Sequence, residues 1–363
     1  MFANVIGQDS IKHYFLKVFE SGKLPHSILF NGPPGTGKTA AAVELAKIIT
    51  CHDTDKRPCG KCLSCVKFNK FKHPDVMLFF PVPGSMKPEE IQIEREKYAD
   101  NPYSVVEFEK NASIHINAVK EIKQRLRLKS YQAHGRAVIL LGVDRMTQEA
   151  ANALLKILEE PPDDVTFILT TSFPDRVLST IKSRCQLLSM NYISEETITD
   201  ALVNREGLSA EQAQLFAFLS GGSFTHALEF LHEDYDIKKE ICEDILYISA
   251  HESKMHAIEL AETLSFNQKK YKNYDINVRS ILELLLSFFK YAYMLRVSGD
   301  ILKKNGAAMH NIPGHQLQKI SLSDIESAIE EVEKSIDLLN KNVYLYLILL
   351  VLFLRLQKVF QNE

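Results

Sequence analysis

Gly32-Pro33-Pro34-Gly35-Thr36-Gly37-Lys38-Thr39 matches the phosphate-binding pattern G-x-x-x-x-G-K-[ST] at every position. Its flanks are the ones that pattern needs. The apolar run Ile28-Leu29-Phe30 before it reads as a strand, and Ala40-Ala41-Ala42-Val43-Glu44-Leu45-Ala46 after it reads as a helix. Glycines let successive backbone N–H groups turn inward onto phosphate oxygens, and a helix N-terminus adds positive potential. The Lys38 ammonium can reach β- and γ-phosphates and the Thr39 hydroxyl can ligate Mg²⁺, so ATP or ADP with Mg²⁺ is the expected ligand.

Outward from this loop, residues 1 to about 190 alternate strand-like and helix-like segments. Apolar runs at 28–30, 76–80, 137–141 and 165–170 are separated by helical stretches at 38–50, 115–129 and 147–159. Strands alternating with helices predict a parallel sheet covered on both faces. Pro81 to Asn111 interrupts the alternation with prolines and charges and reads as an insertion, with a helix expected from Pro88 to Tyr98. From about 191 the chain reads as helical throughout. Ser194-Glu195-Glu196 and Ser209-Ala210-Glu211-Gln212 are helix starts, with a serine cap and acids in the first turn. A Gly221-Gly222 turn separates two short helices, and amphipathic patterns follow at 277–296, 322–340 and 342–360. The fold class is therefore α/β then all-α. The expected domains are a nucleotide-binding core over 1–190, a small helical domain over 191–240 and a further helical domain over 241–363.

The chain of 363 residues is long for one core, and 45% hydrophobic with 25% charged residues is ordinary for a globular protein. A net charge of −3 argues against a freestanding nucleic-acid binder but permits a local basic patch. Met1-Phe2-Ala3-Asn4 carries no basic region or signal-like apolar core, so a cytoplasmic location is expected. The apolar run Val343–Leu354 is too short to span a bilayer and ends at Arg355, which predicts a buried helix and no membrane partner.

Four of the six cysteines, Cys51, Cys59, Cys62 and Cys65, follow the spacing C-x7-C-x2-C-x2-C. Four thiolates can close a tetrahedral Zn²⁺ site, and with all four engaged no position is left for water. The zinc would be structural, ordering a loop that has little apolar material of its own. Cys185 and Cys242 lie outside the group, and Cys242 reads as a core thiol.

Five motifs in one order carry a resemblance. They are Val5-Ile6-Gly7-Gln8, the phosphate loop, the four-cysteine module, Asn152-Ala153-Leu154-Leu155-Lys156-Ile157-Leu158-Glu159-Glu160-Pro161-Pro162, and Ser183-Arg184-Cys185. In these the chain resembles the AAA+ subunits of the bacterial sliding-clamp loader of DNA polymerase III, most closely their delta-prime branch, which is related to gamma/tau. The resemblance is strong over 1–190, moderate over the small helical domain and architectural beyond 240. It implies an AAA+ core with an inserted zinc module, a helical lid and a C-terminal helical collar. It implies adenine held near Val5 to Gln8, with Ile6 and Gly7 in contact, and Thr170, Thr171 or Ser172 near the γ-phosphate.

Active members of that family end the third strand in Asp-Glu, for the metal and the attacking water. Alignment on Asp144-Arg145-Met146-Thr147 places Leu141 and Gly142 there, and Asp144 falls one turn too late. The helical-domain arginine that follows a Gly-Ser pair is replaced in Gly222-Ser223-Phe224-Thr225 by Thr225, while Arg184 is retained. Losing each such group costs a rate factor on the order of 10²–10³. An arginine finger delivered in trans contributes roughly 10³–10⁵. The resemblance thus implies a subunit of the polymerase holoenzyme with weak or absent hydrolysis of its own, supplying Arg184 as the catalytic residue to a neighbour. Two other readings stand beside it: an active gamma/tau-like ATPase using Asp144, and a zinc-stabilised DNA-binding module with a vestigial nucleotide site. The implied partners are gamma/tau- and delta-like subunits, the sliding clamp, and primer–template DNA within the complex. In the 115–129 helix, Val119, Ile122 and Leu126 lie on one face and Lys120, Lys123 and Arg127 make a stripe on another, which reads equally as a phosphate contact or a solvated face. Ile281, Leu282, Leu284, Leu285, Phe288 and Phe289 suit either a collar between subunits or the bundle's own core.

Overall fold

Strand β1 (Ser27–Asn31) delivers the chain into the phosphate loop, and helix α2 (Lys38–Thr50) carries it away. The computed structural model describes residues 1–53, 55–69, 71–103, 112–131, 135–231, 235–266, 277–298, 321–339, 341 and 343–361. With β2 (Val76–Phe79), β3 (Arg136–Leu140), β4 (Val165–Thr171) and β5 (Gln186–Ser189), β1 forms a parallel sheet in the order β2-β3-β4-β1-β5. The register sets Leu29 beside Leu169, and Leu169 beside Leu140. Apart from Asn31, every residue of β1 to β4 is buried. Burial on both faces is why these strands read as continuous apolar runs. The fifth strand was not among the expected ones. It sits at the sheet edge with only Leu188 buried, so it leaves no apolar run to find.

The first half of the chain also holds α1 (Asp9–Ser21), α3 (Leu63–Phe68), α4 (Pro88–Asp100), α5 (Ile116–Leu126), α6 (Gln148–Glu159) and α7 (Ser179–Lys182). Val119 and Ile122 of α5 and Ala150, Leu154 and Ile157 of α6 pack with Met77, Val138 and Phe167 from the sheet. Helix α2 is buried all round from Ala40 to Ala46, and its alanines let it lie close to the strands. Helix α5 stops at Leu126 rather than at 129. The carbonyls of Leu126 and Leu128 accept from Arg136 Nη1 at 3.2 and 3.0 Å, so neither continues a helical ladder. The insertion contains α4, begun by Pro88 with Glu89 and Glu90 in its first turn. The rest of its span, 104–111, lies outside the described residues.

Next come α8 (Glu195–Glu206), α9 (Ala210–Leu219), α10 (Phe224–Glu229), α11 (Tyr235–His251), α12 (Lys254–Phe266), α13 (Val278–Ser298), α14 (Leu322–Leu339) and α15 (Leu345–Gln361). Among the described residues no strand follows β5. Ser209 caps α9 by accepting from Gln212 N, and Ser194 accepts from Thr197 N. The chain divides into two units, Met1–Ala201 with Gly222–His226, and Leu202–Gly221 with Ala227–Glu363. In the second unit Ile281, Leu282, Leu284, Leu285, Phe288 and Phe289 are all at most 1% exposed. Those six are the bundle's own core and leave nothing for a collar, which corrects the collar alternative at these positions. Cys242 is fully buried there, as expected. Among the described residues no helix is long and apolar enough to cross a membrane.

Candidate functional site

The phosphate loop closes on itself. Gly32, Gly35 and Gly37 all take positive φ, at 149°, 71° and 94°, and at Gly32 a Cβ would stand 2.2 Å from the Met190 carbonyl oxygen. Only glycine fits there. Thr36 Oγ1 donates to Pro33 O at 2.9 Å. Lys38 Nζ folds back to donate to Gly32 O at 2.8 Å and Pro33 O at 2.6 Å. Lys38 is 7% exposed, and burial pushes its ammonium down to about 8 while the Asp144 carboxylate opposes the shift. Thr39 is half-buried beside it.

Three segments converge on this loop within the first unit. Val5-Ile6-Gly7-Gln8 approaches from the N-terminal side, with Gly7 and Gln8 both in the left-handed region. Gln8 Nε2 donates to Thr36 O at 3.1 Å and to Asn191 O at 2.7 Å, tying that bend to the loop. Ser223 and Thr225 close over Gly35: a Cβ on that glycine would meet Ser223 Oγ at 1.8 Å, and Thr225 N donates to Gly35 O at 3.4 Å. Tyr103 arrives from the insertion, and its phenolic oxygen accepts from Ile6 N at 2.8 Å. Sequence reasoning placed Ile6, Gly7 and Thr225 near the loop and missed Tyr103 and Ser223. The Asn101-Pro102 turn was the one sign that the chain doubles back before Tyr103.

At the end of β3 the structure sets Leu141, 4% exposed, and Gly142, whose N–H donates to Thr170 Oγ1 at 3.1 Å. A 3₁₀ turn over Val143–Arg145 then brings Asp144 into range of the Lys38 charge. Asp144 Oδ1 accepts from Thr171 Oγ1 at 2.6 Å, and Thr171 Oγ1 in turn accepts from Phe173 N at 3.0 Å. Thr170 and Thr171 are buried with these partners, whereas Ser172 is half-buried. Arg184 lies between α7 and β5 and points elsewhere. Its guanidinium donates to Glu159 Oε1 at 2.7 Å and to Thr180 O at 3.0 Å, and none of its hydrogen bonds goes to the phosphate loop.

The four cysteines meet. The Sγ atoms of Cys51, Cys59, Cys62 and Cys65 lie within 4.8 Å of one another, with Cys65 at 3.7 Å from Cys51 and 4.0 Å from Cys59. Thiolates bound at about 2.3 Å around a tetrahedral ion stand ~3.8 Å apart, so the set can hold a metal ion. All four are free thiols. Backbone N–H groups of Cys59, Cys62 and Cys65 each point at a sulfur at 3.4 Å, the second layer that steadies thiolate charge. Burial pushes the Cys51 and Cys65 thiols up. At Cys62 burial also pushes upward but is outweighed by bonds from Cys65 and His52, leaving about 6. The module is pinned from below: Ser64 Oγ donates to Thr50 O at 2.5 Å and meets His73 Nε2 at 2.7 Å, while His73 Nδ1 accepts from Asp75 N at 3.1 Å. With Nδ1 accepting, Nε2 carries the proton, so this chain of bonds is a brace and not a nucleophile–base pair. On α5, Lys120 and Arg127 are exposed and Lys123 half-buried, with Arg127 just past the helix end.

The family model described as "DNA polymerase III, delta subunit" matches residues 7–194, which is more than half of the chain. The DNA polymerase III subunit delta' of Bacillus subtilis (strain 168) is 31% identical over 238 residues, covering 66% of this chain and 63% of that protein. The subunit tau of the same organism is 28% identical over 292 residues, covering 78% of this chain and 45% of its own length. The subunit delta' of Escherichia coli (strain K12) is 28% identical over 234 residues, covering 63% and 61%. The chain thus spans less than two thirds of the length of these relatives. A gamma subunit-related protein of Thermotoga maritima superposes with a TM-score of 0.47 at 18% identity, covering 95% of this chain and 98% of that one. With its matched segment running from Gly7 through the phosphate loop and the cysteine module to Ser194, the chain belongs to the DNA polymerase III delta-subunit family.

Proposed function

We propose that this chain is a delta-prime-like subunit of the bacterial sliding-clamp loader, that it hydrolyses little ATP itself, and that it supplies Arg184 to the nucleotide of a neighbouring subunit. The observation that carries this reading is the end of β3. A buried Leu141 and a hydrogen-bonded Gly142 stand where a metal carboxylate and a water-orienting acid belong, beside a phosphate loop that is otherwise intact. The loop's backbone, Lys38 and Thr39 would hold phosphates and Mg²⁺; bound ATP would supply a γ-phosphoryl group, and neither Leu141 nor Gly142 carries an acid to orient a water for its attack. Arg184 is exposed and bonded to an exposed Glu159, so it can be handed to another chain at the cost of one surface ion pair and its bonds to Thr180 and Ser183.

In the same reading Zn²⁺ fills the four-cysteine site and Lys120, Lys123 and Arg127 face primer–template DNA within the complex. The partners are gamma/tau- and delta-like subunits and the sliding clamp, in the cytoplasm, with core, lid and collar divided near residues 190 and 240. In a reconstituted loader with clamp and primed DNA, Arg184→Ala should lower ATP turnover roughly 10³-fold or more. Unchanged turnover would remove the finger role. Asp144 supports a second reading, because the 3₁₀ turn carries its carboxylate to the Lys38 side of the sheet, where it could take the metal-holding role. Turnover by the isolated subunit of about one per second or faster, abolished by Asp144→Asn, would favour that alternative.

A further inference from the structure

Tyr103 packs onto the phosphate loop and the bend at Gly7 and Gln8. Its phenolic oxygen takes the Ile6 N–H at 2.8 Å, satisfying the backbone donor that opens the left-handed bend at Gly7 and Gln8. Its ring lies on Gly37, the last loop residue before Lys38: a Cβ there would stand 2.8 Å from the phenolic oxygen and 3.3 Å from Cε1. Gly37 is also the N-cap of α2, the point where phosphates are held by the helix N-terminus. On the nucleotide reading of this loop, a nucleoside joined to those phosphates leaves it past this glycine.

The ring is not loosely parked. It is 5% exposed and held edge-on by Phe224 at 4.9 Å between centroids and 77° between planes. Phe224 stands between Ser223 and Thr225, the residues that close over Gly35. Behind the ring, Tyr103 N donates to Asn101 Oδ1 at 2.9 Å, and Asn101 N donates to Lys97 O at 2.9 Å, which fixes the turn at the end of α4. A flat apolar ring with one acceptor, set between an aromatic edge and glycine backbone, presents what a purine would present to the same surroundings. The Lys38 ammonium, meanwhile, is turned onto the loop's own carbonyls.

We propose that Tyr103 is an intramolecular plug standing in for the base at the phosphate loop, so that nucleotide binds only by displacing it. This rests on reading Gly32–Thr39 as a nucleotide site. It makes the chain's affinity for nucleotide a property of the insertion, because α4 and the Asn101 turn hold the plug in place.

The test is a titration of the full chain with fluorescently labelled ADP and Mg²⁺, with thermal melts to verify folding. Tyr103→Ala should bind at least about tenfold more tightly than wild type. Tyr103→Phe, which keeps the ring and loses the bond to Ile6, should gain about two- to tenfold, the worth of one hydrogen bond. The chain contains no tryptophan, so Tyr103→Trp gives a single indole whose emission should shift red when saturating ADP expels it. Equal or weaker binding by Tyr103→Ala overturns the plug, weaker binding making the ring a platform for the base instead. Indole emission that stays unchanged with ADP bound overturns it too, and decides the matter if Tyr103→Ala does not fold. If wild type and Tyr103→Ala bind equally and Lys38→Ala abolishes binding in both, the nucleotide site stands and the plug falls. If no folded variant binds ADP, both readings fall together.

Discussion

At the scale of single residues, Lys38 is a charge that the folded chain solvates less well than water does. Its ammonium has two carbonyl partners and a nearby carboxylate, yet burial still brings its proton affinity down to about 8 from an ordinary 10.5. The sign of the consequence follows from proton counting. Below about pH 8 the lysine is charged in both states, and burying the charge lowers stability. Between about 8 and 10.5 the unfolded chain keeps a proton that the folded chain has lost, so the unfolded state binds more protons and stability rises with pH. Relative to Lys38→Met, wild type should therefore gain on the order of 3 kcal/mol across that window. Urea unfolding of both proteins at pH 7.5, 9 and 10.5 reads this as a wild-type midpoint that rises relative to that of Lys38→Met. A midpoint difference that does not move with pH would mean that the ammonium is solvated in the folded chain. Phosphate bound at the loop would pull the same affinity back up, so the window should narrow with saturating nucleotide.

At the scale of elements, the cysteine module has little core of its own. Helix α3 buries only Ser64, Cys65 and Phe68, and the braces from Ser64 to Thr50 and His73 hold one side of it. Metal removal should therefore loosen residues 51–69 without melting the sheet. Chelation, or Cys59→Ser, should raise hydrogen exchange across that segment while β1, β3 and β4 keep their protection, with metal content measured alongside and falling from about one per chain. Exchange that is unchanged by complete metal loss would show that the module is ordered by its packing alone. This module was legible in the chain because ligand spacing is a local property. So were β1 to β4, whose burial on both faces leaves unbroken apolar runs, and α4, marked by Pro88 and two acids. The edge strand β5 was not, since three of its four residues face solvent. Tyr103 was not legible either, and Asp144, named in the sequence as an acid one turn too late, gave no sign of its bond to Thr171. Tyr103 meets Ile6 across 97 positions of sequence and Asp144 meets Thr171 across 27, and no local pattern encodes where such a side chain lands.

At the scale of the whole molecule, the question is which apolar surface the C-terminal helices have left over. The face of α13 is spent inside its own unit, where Leu285 and its five neighbours are buried. Leu285→Ala should therefore cost about 2–5 kcal/mol of that unit's stability, as a cavity in a packed core does. Helix α15 is different. Ile348, Leu349, Leu352, Phe353 and Leu356 are buried, but Leu347 and Val351, with Tyr344 just before the helix, remain 50%, 46% and 58% exposed at spacings that put them on one side. A helix that is apolar all round is normally covered all round. Single exposed apolar residues mean little, but a row of them at helical spacing is what a partner helix would cover. If the clamp-loader reading is right, this row is the collar surface, and Leu347→Glu with Val351→Glu should leave the isolated chain's melting temperature within a few degrees of wild type. The same double variant should then fail to co-elute with gamma/tau- and delta-like subunits, while Leu285→Ala, once folded, should still assemble. Co-elution that survives both charges would move the collar contact off α15 and leave the row as ordinary surface.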